Sequence, residues 1–199
     1  MKQGKPTAAG TDSLFIDQLR KLHGDLRAVG EKAVACVLPA KIQAKAADFL
    51  RGLPDAPDMP LRALDAAGYA IDTLLFTPSM SGHTAIDRAI RTGKVGGAET
   101  EAANLLLQTS FRLLAITEDR GGGLLDATDL VSNERLMIFD PGSPMARGGR
   151  WARRTCLYQG VHVTVGPVLP LDDDMLAVAA FYGQGAGLEK AAALRRGAL

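Results

Sequence analysis

Four arginines and the chain's one tryptophan fall within the eight residues RGGRWARR, Arg147 to Arg154, and none of the eight is acidic. Guanidinium groups attract phosphate, and an indole offers a face on which a base can stack for on the order of 1–3 kcal/mol. These are the residue types of a nucleic-acid contact. Strand periodicity gives them a second use. From Trp151 onward, Trp151, Arg153, Thr155 and Leu157 share one face, and Ala152, Arg154, Cys156 and Tyr158 share the other. With Trp151 and Leu157 pointing inward, Arg153 sits at the sheet margin with its stem buried and its head snorkelling or paired. Arg147, Arg150 and Arg154 are then free, on a loop and an outer face.

Other groupings are weaker. Ser79, Ser81 and His83 in SMSGHTAID bring a nucleophile and a base close in sequence, but the Gly-x-Ser-x-Gly strand-to-helix elbow is missing. The serines and Thr84 read as turn and cap residues, and His83 as an exposed loop histidine. Cys156 and His162 flank a Gln159-Gly160 turn, yet two ligands do not close a zinc site and no Cys-x-x-Cys or His-x-x-x-His supplies the rest. The glycines of DRGGGLLD and GKVGG lack both the Walker and the dinucleotide-binding spacing. They read as turns. Asp172 to Asp174 read as the solvated start of a helix. No cofactor and no metal is expected from these patterns.

Charge balance bounds the partners. The chain of 199 residues has 23 Lys and Arg against 22 Asp and Glu, a net charge of +1, where a dedicated nucleic-acid domain is usually basic. Its 47% hydrophobic content is globular, and aromatic residues at 5% leave a core of Leu, Ala, Val and Ile. Cys36 and Cys156 form no disulfide framework and read as small buried apolar residues. With no signal-like apolar segment after the polar start, and no run approaching the roughly 20 apolar residues of a membrane span, a soluble protein of the reducing cytoplasm is expected.

The elements that must position these residues change type near Ser110. Before it, apolar residues recur at helical spacing; after it, they alternate or cluster between glycines and prolines. A first helix starts at Asp12 or Ser13, with Leu14, Leu19, Leu22, Leu26 and Val29 on one face, and stops at Gly30. His23 lies within this helix, as a residue at the boundary between its buried and exposed faces. Pro39 kinks or divides a second helical region, and Pro54 to Pro60 form a linker. A third helix carries Leu61, Leu64, Ile71, Leu74 and Leu75. Thr84 with Asp87 resembles a capping arrangement for a short helix to about Thr92, and Ala98 to Gln108 form the last helix of the set.

Five strands follow, FRLLAI, LLDATDL, RLMIFD, WARRTCLY and VHVTVGPVLPL, with TEDRGGG and VSNE as turns. They predict a small antiparallel sheet or barrel. A C-terminal helix, LAVAAFYG, closes it, and Leu188 and Leu194 dock weakly in the tail. The fold class is therefore α+β: a helical part over 1–109, a small β-barrel or curled sheet over 110–171, and a C-terminal helix and tail over 172–199. The first two parts pack on each other, because hardly any linker separates Gln108 from Phe111.

Gly123, Asp129, Leu130, Arg153 or Arg154, Gly166 and Pro167 stand where a turn glycine, an Asp-Leu strand end, an arginine strand and a closing Gly-Pro stand in a β-rich domain of poorly characterised bacterial proteins. Residues 111–171, about a third of the chain, resemble that domain. Some relatives carry a cysteine-rich zinc motif that this chain lacks. The resemblance implies a fold and no activity.

The function expected is that of a non-enzymatic intracellular binding or accessory protein, contacting a protein partner through the β domain with Arg147, Arg150, Trp151 and Arg154. Direct RNA or DNA binding by the same loop is the alternative, and a hydrolase using His83 with Ser79 or Ser81 the second alternative. No membrane partner is expected.

Overall fold

A computed structural model describes residues 8–51, 62–142 and 147–171. The expected linker at Pro54–Pro60, the residue Leu61, the acidic run Asp172–Asp174 and the C-terminal helix and tail lie outside the described residues. No helix among the described residues is long and apolar enough to cross a membrane.

Helix α1 spans Ala8–Val34. Leu19, Leu22, Leu26, Val29 and Ala33 recur at three- and four-residue steps and are all buried. Leu14, expected on the same face, is 63% exposed. The helix also passes the expected stop at Gly30. A mid-helix glycine costs about 1 kcal/mol, and continuation to a fully buried Ala33 offsets it. Pro39 divides the helical region, as one of the two alternatives had it: α1 ends at Val34 and Pro39 opens α2 (Pro39–Arg51), where a missing N–H and a fixed φ suit the first turn.

Helix α3 spans Arg62–Phe76 and α4 Ala85–Arg91. The capping box expected at Thr84 is present: Thr84 Oγ1 accepts from Asp87 N, and Asp87 Oδ2 accepts from Thr84 N. A single 3-10 turn, Gly97–Glu99, leads into α5 (Thr100–Leu107).

The strands are β1 (Ser110–Gly121), β2 (Leu124–Asp129), β3 (Arg135–Phe139), β4 (Arg150–Tyr158) and β5 (Val161–Pro170). They close into a barrel in the order β1-β2-β3-β5-β4, so the α+β class and the five-stranded barrel are as expected. Two points differ. β1 runs on through the expected TEDR turn, helped by two irregularities in register and by Arg120 Nε donating to Asp126 Oδ2 across the hairpin at 2.8 Å. The sheet is also not purely antiparallel, because β5 returns beside β3 in parallel, pairing Ile138 with His162 and Phe139 with Val163. Gly123 turns the first hairpin at φ +91°, with its α-carbon facing Pro141 so closely that a side chain would meet Pro141 Cα at 3.0 Å. Gln159 and Gly160 both have positive φ, 48° and 82°, the tight hairpin expected.

Alternation divides the side chains of the barrel. Inside, Leu114, Ile116, Leu125, Ala127, Leu136 and Ile138 form one core, with Trp151 and Val168 packed against it. Outside, Phe139, Cys156, Val161, Val163 and Val165 join Leu19, Leu22, Leu26 and Val29 of α1 and Ala102, Ala103 and Leu106 of α5 in the larger core. The helical part and the barrel therefore share one core, as the missing linker predicted.

Candidate functional site

The basic segment that dominates the sequence is split by the fold. Arg147 and Arg150 are exposed, Arg147 in the loop after β3 and Arg150 at the first position of β4. Trp151 is half-buried and lies against the interior core of the barrel. Its indole Nε1 is fully enclosed and has no hydrogen-bond partner among the described residues. The inward orientation expected for this ring is what the structure has.

Arg154 departs from expectation. Of the two alternatives for Arg153 the structure has the paired one, and at 8% exposure Arg153 is more deeply buried than a sheet-margin residue. Its Nη2 donates to Thr164 Oγ1 at 3.4 Å and lies 3.4 Å from Asp140 Oδ2, and Thr164 Oγ1 in turn donates to the carbonyl of Phe139. Burial lowers the basicity of this guanidinium and Asp140 raises it, the lowering prevailing. Arg154 is on the outer face as expected but is not free there. Its Nε and Nη2 donate to Asp72 Oδ1 and Oδ2, each at 3.0 Å, and its guanidinium lies 4.0 Å over the ring of Phe76. Helix α3 supplies both partners, so Arg154 joins the helical part to the barrel. Leu157, expected inside, is 58% exposed. It lies only one residue from the end of β4, opposite His162.

Asp72 fits against a backbone made for it. Gly166 has φ +69°, and a β-carbon there would stand 2.9 Å from Asp72 Oδ1; one on Gly68 of the same helix would press on Pro167 at 3.3 Å. Burial pushes the Asp72 carboxyl up, while the hydrogen bond and charge of Arg154 pull it down; burial prevails.

The barrel interior carries a second charged pair. Arg112 Nη1 donates to Asp129 Oδ2 at 2.7 Å, and Arg112 stands directly opposite Arg153 in the β1–β4 register. Thr155 Oγ1 meets His162 Nδ1 at 3.3 Å in the same layer. Like charges facing each other across a ladder repel; here Asp129 and Asp140 each neutralise one of them. Burial lowers the affinity of His162 for a proton. These residues make a charge-balanced polar layer beside the apolar one, with Arg112 Nε, Arg153 Nε and Asp140 Oδ2 lacking hydrogen-bond partners among the described residues.

The remaining sequence candidates are placed as follows. Ser79 Oγ bonds the main-chain carbonyl of His83, whereas the His83 ring meets Arg91 through Nε2. Neither serine therefore has the imidazole as its base. His83 is half-buried rather than exposed. Cys156 faces the helices and His162 the barrel interior, so the two cannot share a metal, and the described residues contain no group of three metal-ligating side chains. Cys36 is half-buried and Cys156 buried. His23 stands edge-on to Phe139, with ring centroids 6.4 Å apart.

Asp72, Arg112 and Asp140 do not stand out in the sequence, and Asp129 stands out only as a strand end, with no partner. Each carries a signal: Asp72 interrupts an apolar run between Ile71 and Leu74, Arg112 and Asp129 fall on inward positions of β1 and β2, and Asp140 directly follows β3. No family model matches the chain, and no curated protein or solved structure matches it.

Proposed function

We propose that this chain is a non-enzymatic intracellular binding or accessory protein that contacts a protein partner through the barrel and its basic loop. Arg147 and Arg150 are the contact residues. Trp151 supports them from the interior, and Arg154 fixes the barrel to the helices behind them. One observation carries the reading: of the four arginines in the segment, Arg147 and Arg150 are exposed, whereas Arg153 is buried and Arg154 largely so. What reaches the surface is a local basic patch rather than a track of cations.

Nucleic-acid binding is the alternative, because small five-stranded barrels are an architecture that takes oligonucleotides across strands 2 and 3 and the adjoining loops. In this chain Leu124 and Met137, on the outer side of those strands, pack against the helical core, and Asp126 there holds Arg120. These features favour the protein reading. So does the net charge of +1. The resemblance of residues 111–171 to a β-rich bacterial domain belongs to the same proposal and adds no activity to it.

Affinity capture with the full chain and with R147A/R150A tests the proposal, in parallel with fluorescence anisotropy on mixed-sequence oligonucleotides. A discrete protein retained by the parent chain at moderate salt, and lost by the double variant, is the expected result. Oligonucleotide binding at low salt that falls steeply as salt rises, and that the double variant abolishes, would replace the protein reading with the nucleic-acid one.

A further inference from the structure

The segment Ser79–Arg91, which the basic loop does not involve, brings together a set of groups whose hydrogen bonds are incompletely used. Ser79 N donates to the His83 carbonyl and Gly82 N to the Ser79 carbonyl, closing a tight turn, with Gly82 at φ +76°. Inside it Ser79 Oγ lies 2.9 Å from Ser81 Oγ and donates to the same His83 carbonyl. From α4, Arg88 Nη1 reaches Ser79 Oγ at 3.3 Å and the His83 carbonyl at 3.1 Å. Arg91 Nη1 meets His83 Nε2; a guanidinium only donates, so Nε2 accepts.

Turn chemistry accounts for the serines but not for the arginines. Arg88 and Arg91 are three residues apart on one helix, where like charges repel. Neither forms an ion pair with a carboxylate among the described residues. Asp87, the acidic residue of the segment, is engaged by the main-chain and side-chain donors of Thr84 and acts on His83 and Arg88 only through its charge. Each guanidinium has five N–H donors in a planar fork, and one terminal nitrogen of each is in use. Two forks of this kind, bordered by hydroxyls and an imidazole, match the oxygens of a phosphoryl group, which takes charge-assisted and bidentate bonds from arginine. Met80, between the two serines, is completely exposed. It provides a flexible apolar contact of the kind that adapts to varied groups.

We propose that Arg88 and Arg91, with Ser79, Ser81 and His83, form a binding site for the dianionic phosphoryl group of a phosphate monoester, whose organic portion lies against Met80. The site is separate from the basic loop after β3 and does not depend on that loop's function. The arginines provide charge and geometry, the serine pair fixes Arg88, and His83 fixes Arg91.

The test is a titration of the full chain with inorganic phosphate and, separately, with phenyl phosphate, read from backbone amide resonances of Ser79–Thr84. Saturable shifts are expected with both probes. Binding should weaken about tenfold in R88Q and again in R91Q, since each removes a charge-assisted bond. Far-UV circular dichroism of R91Q should match the parent, because Arg91 contacts only the His83 ring in this segment. Tighter binding of phenyl phosphate, with the difference erased by M80A, identifies an ester as the ligand. Equal binding of both probes refutes the ester assignment. Linear, non-saturating shifts, or shifts of the same size in R88Q and R91Q, overturn the site altogether.

Discussion

Replacing Arg154 by methionine keeps most of the aliphatic stem and removes the charge that faces Asp72. The Asp72 side chain is 1% exposed and that of Arg154 12%, so solvent screens the pair little. Breaking a buried pair from one side costs about 3–5 kcal/mol, because the remaining charge has lost its partner. For a chain of this length that is a fall in Tm of roughly 6–20 °C. The stacking of the guanidinium on Phe76 is lost in the same change. The pH dependence has a definite sign. Burial already holds the Asp72 carboxyl above its ordinary value against the pull of Arg154, and removing Arg154 leaves burial unopposed. A raised carboxyl contributes stability that is full below its unfolded value, about 4, and is lost as pH rises through the folded value. The deficit of R154M should therefore be smallest near pH 4 and grow toward pH 7. Urea unfolding at a series of pH values measures it. The double variant D72L/R154M, with no charge to strand, should recover most of the loss, since apolar replacement of a whole pair is often neutral. A loss below about 1 kcal/mol in R154M at pH 7, or a double variant no more stable than the single one, would refute this account of the joint.

Further outcomes follow from the same geometry. Methionine at position 153 should destabilise the fold by about 3 kcal/mol in urea unfolding, since it leaves Asp140 buried without its cation; Arg147→Ala, in the exposed loop, should change stability by less than about 0.5 kcal/mol. Burial pushes the Cys156 thiol up to about 11, so at pH 8 in the native state Cys36 should react with a thiol reagent well before Cys156, and stability should decline as pH is raised from about 9 toward that value. His23 and His162 are both held below the ordinary imidazole value by burial; their contribution is present above about pH 6.5 and lost as pH falls, which a falling urea midpoint between pH 7 and pH 5 would report. Gly123→Ala should cost more than Gly121→Ala, because both have positive φ but only position 123 would also press on Pro141; thermal unfolding of the two variants compares them.

Local patterning made most of the elements legible. Thr84 with Asp87, the Gln159-Gly160 turn and the alternation from Trp151 onward are short-range signals, and the structure has them all. What short-range signals omit is closure. A closed ring with an odd number of strands cannot alternate direction all the way round, so one neighbouring pair must be parallel, and here it is β3 with β5. Closure also decided the arginines. Strand period placed Arg153 and Arg154 on opposite faces correctly, yet their roles depend on Asp140, 13 residues before Arg153, and on Asp72, 82 residues before Arg154. Leu157 and Leu14 failed for the opposite reason: each continues a buried stripe past the point where another element covers it. The serines of SMSGH signal their turn locally, but the two arginines that approach it come from the following helix, outside the reach of turn chemistry.

The notch that Gly166 leaves for Asp72 bears on how this molecule could be taken apart. Cutting the chain at the Thr109–Ser110 junction would strip the helices from Val161, Val163 and Val165 and leave two fragments, each with a raw apolar side. Such halves are expected to aggregate alone, through the apolar sides that these core residues would expose, and to complement each other when expressed together. The carboxylate seated in its glycine-lined recess would act as a key, so that a strand shifted along the helix meets a β-carbon in place of the gap and only the native alignment reassembles.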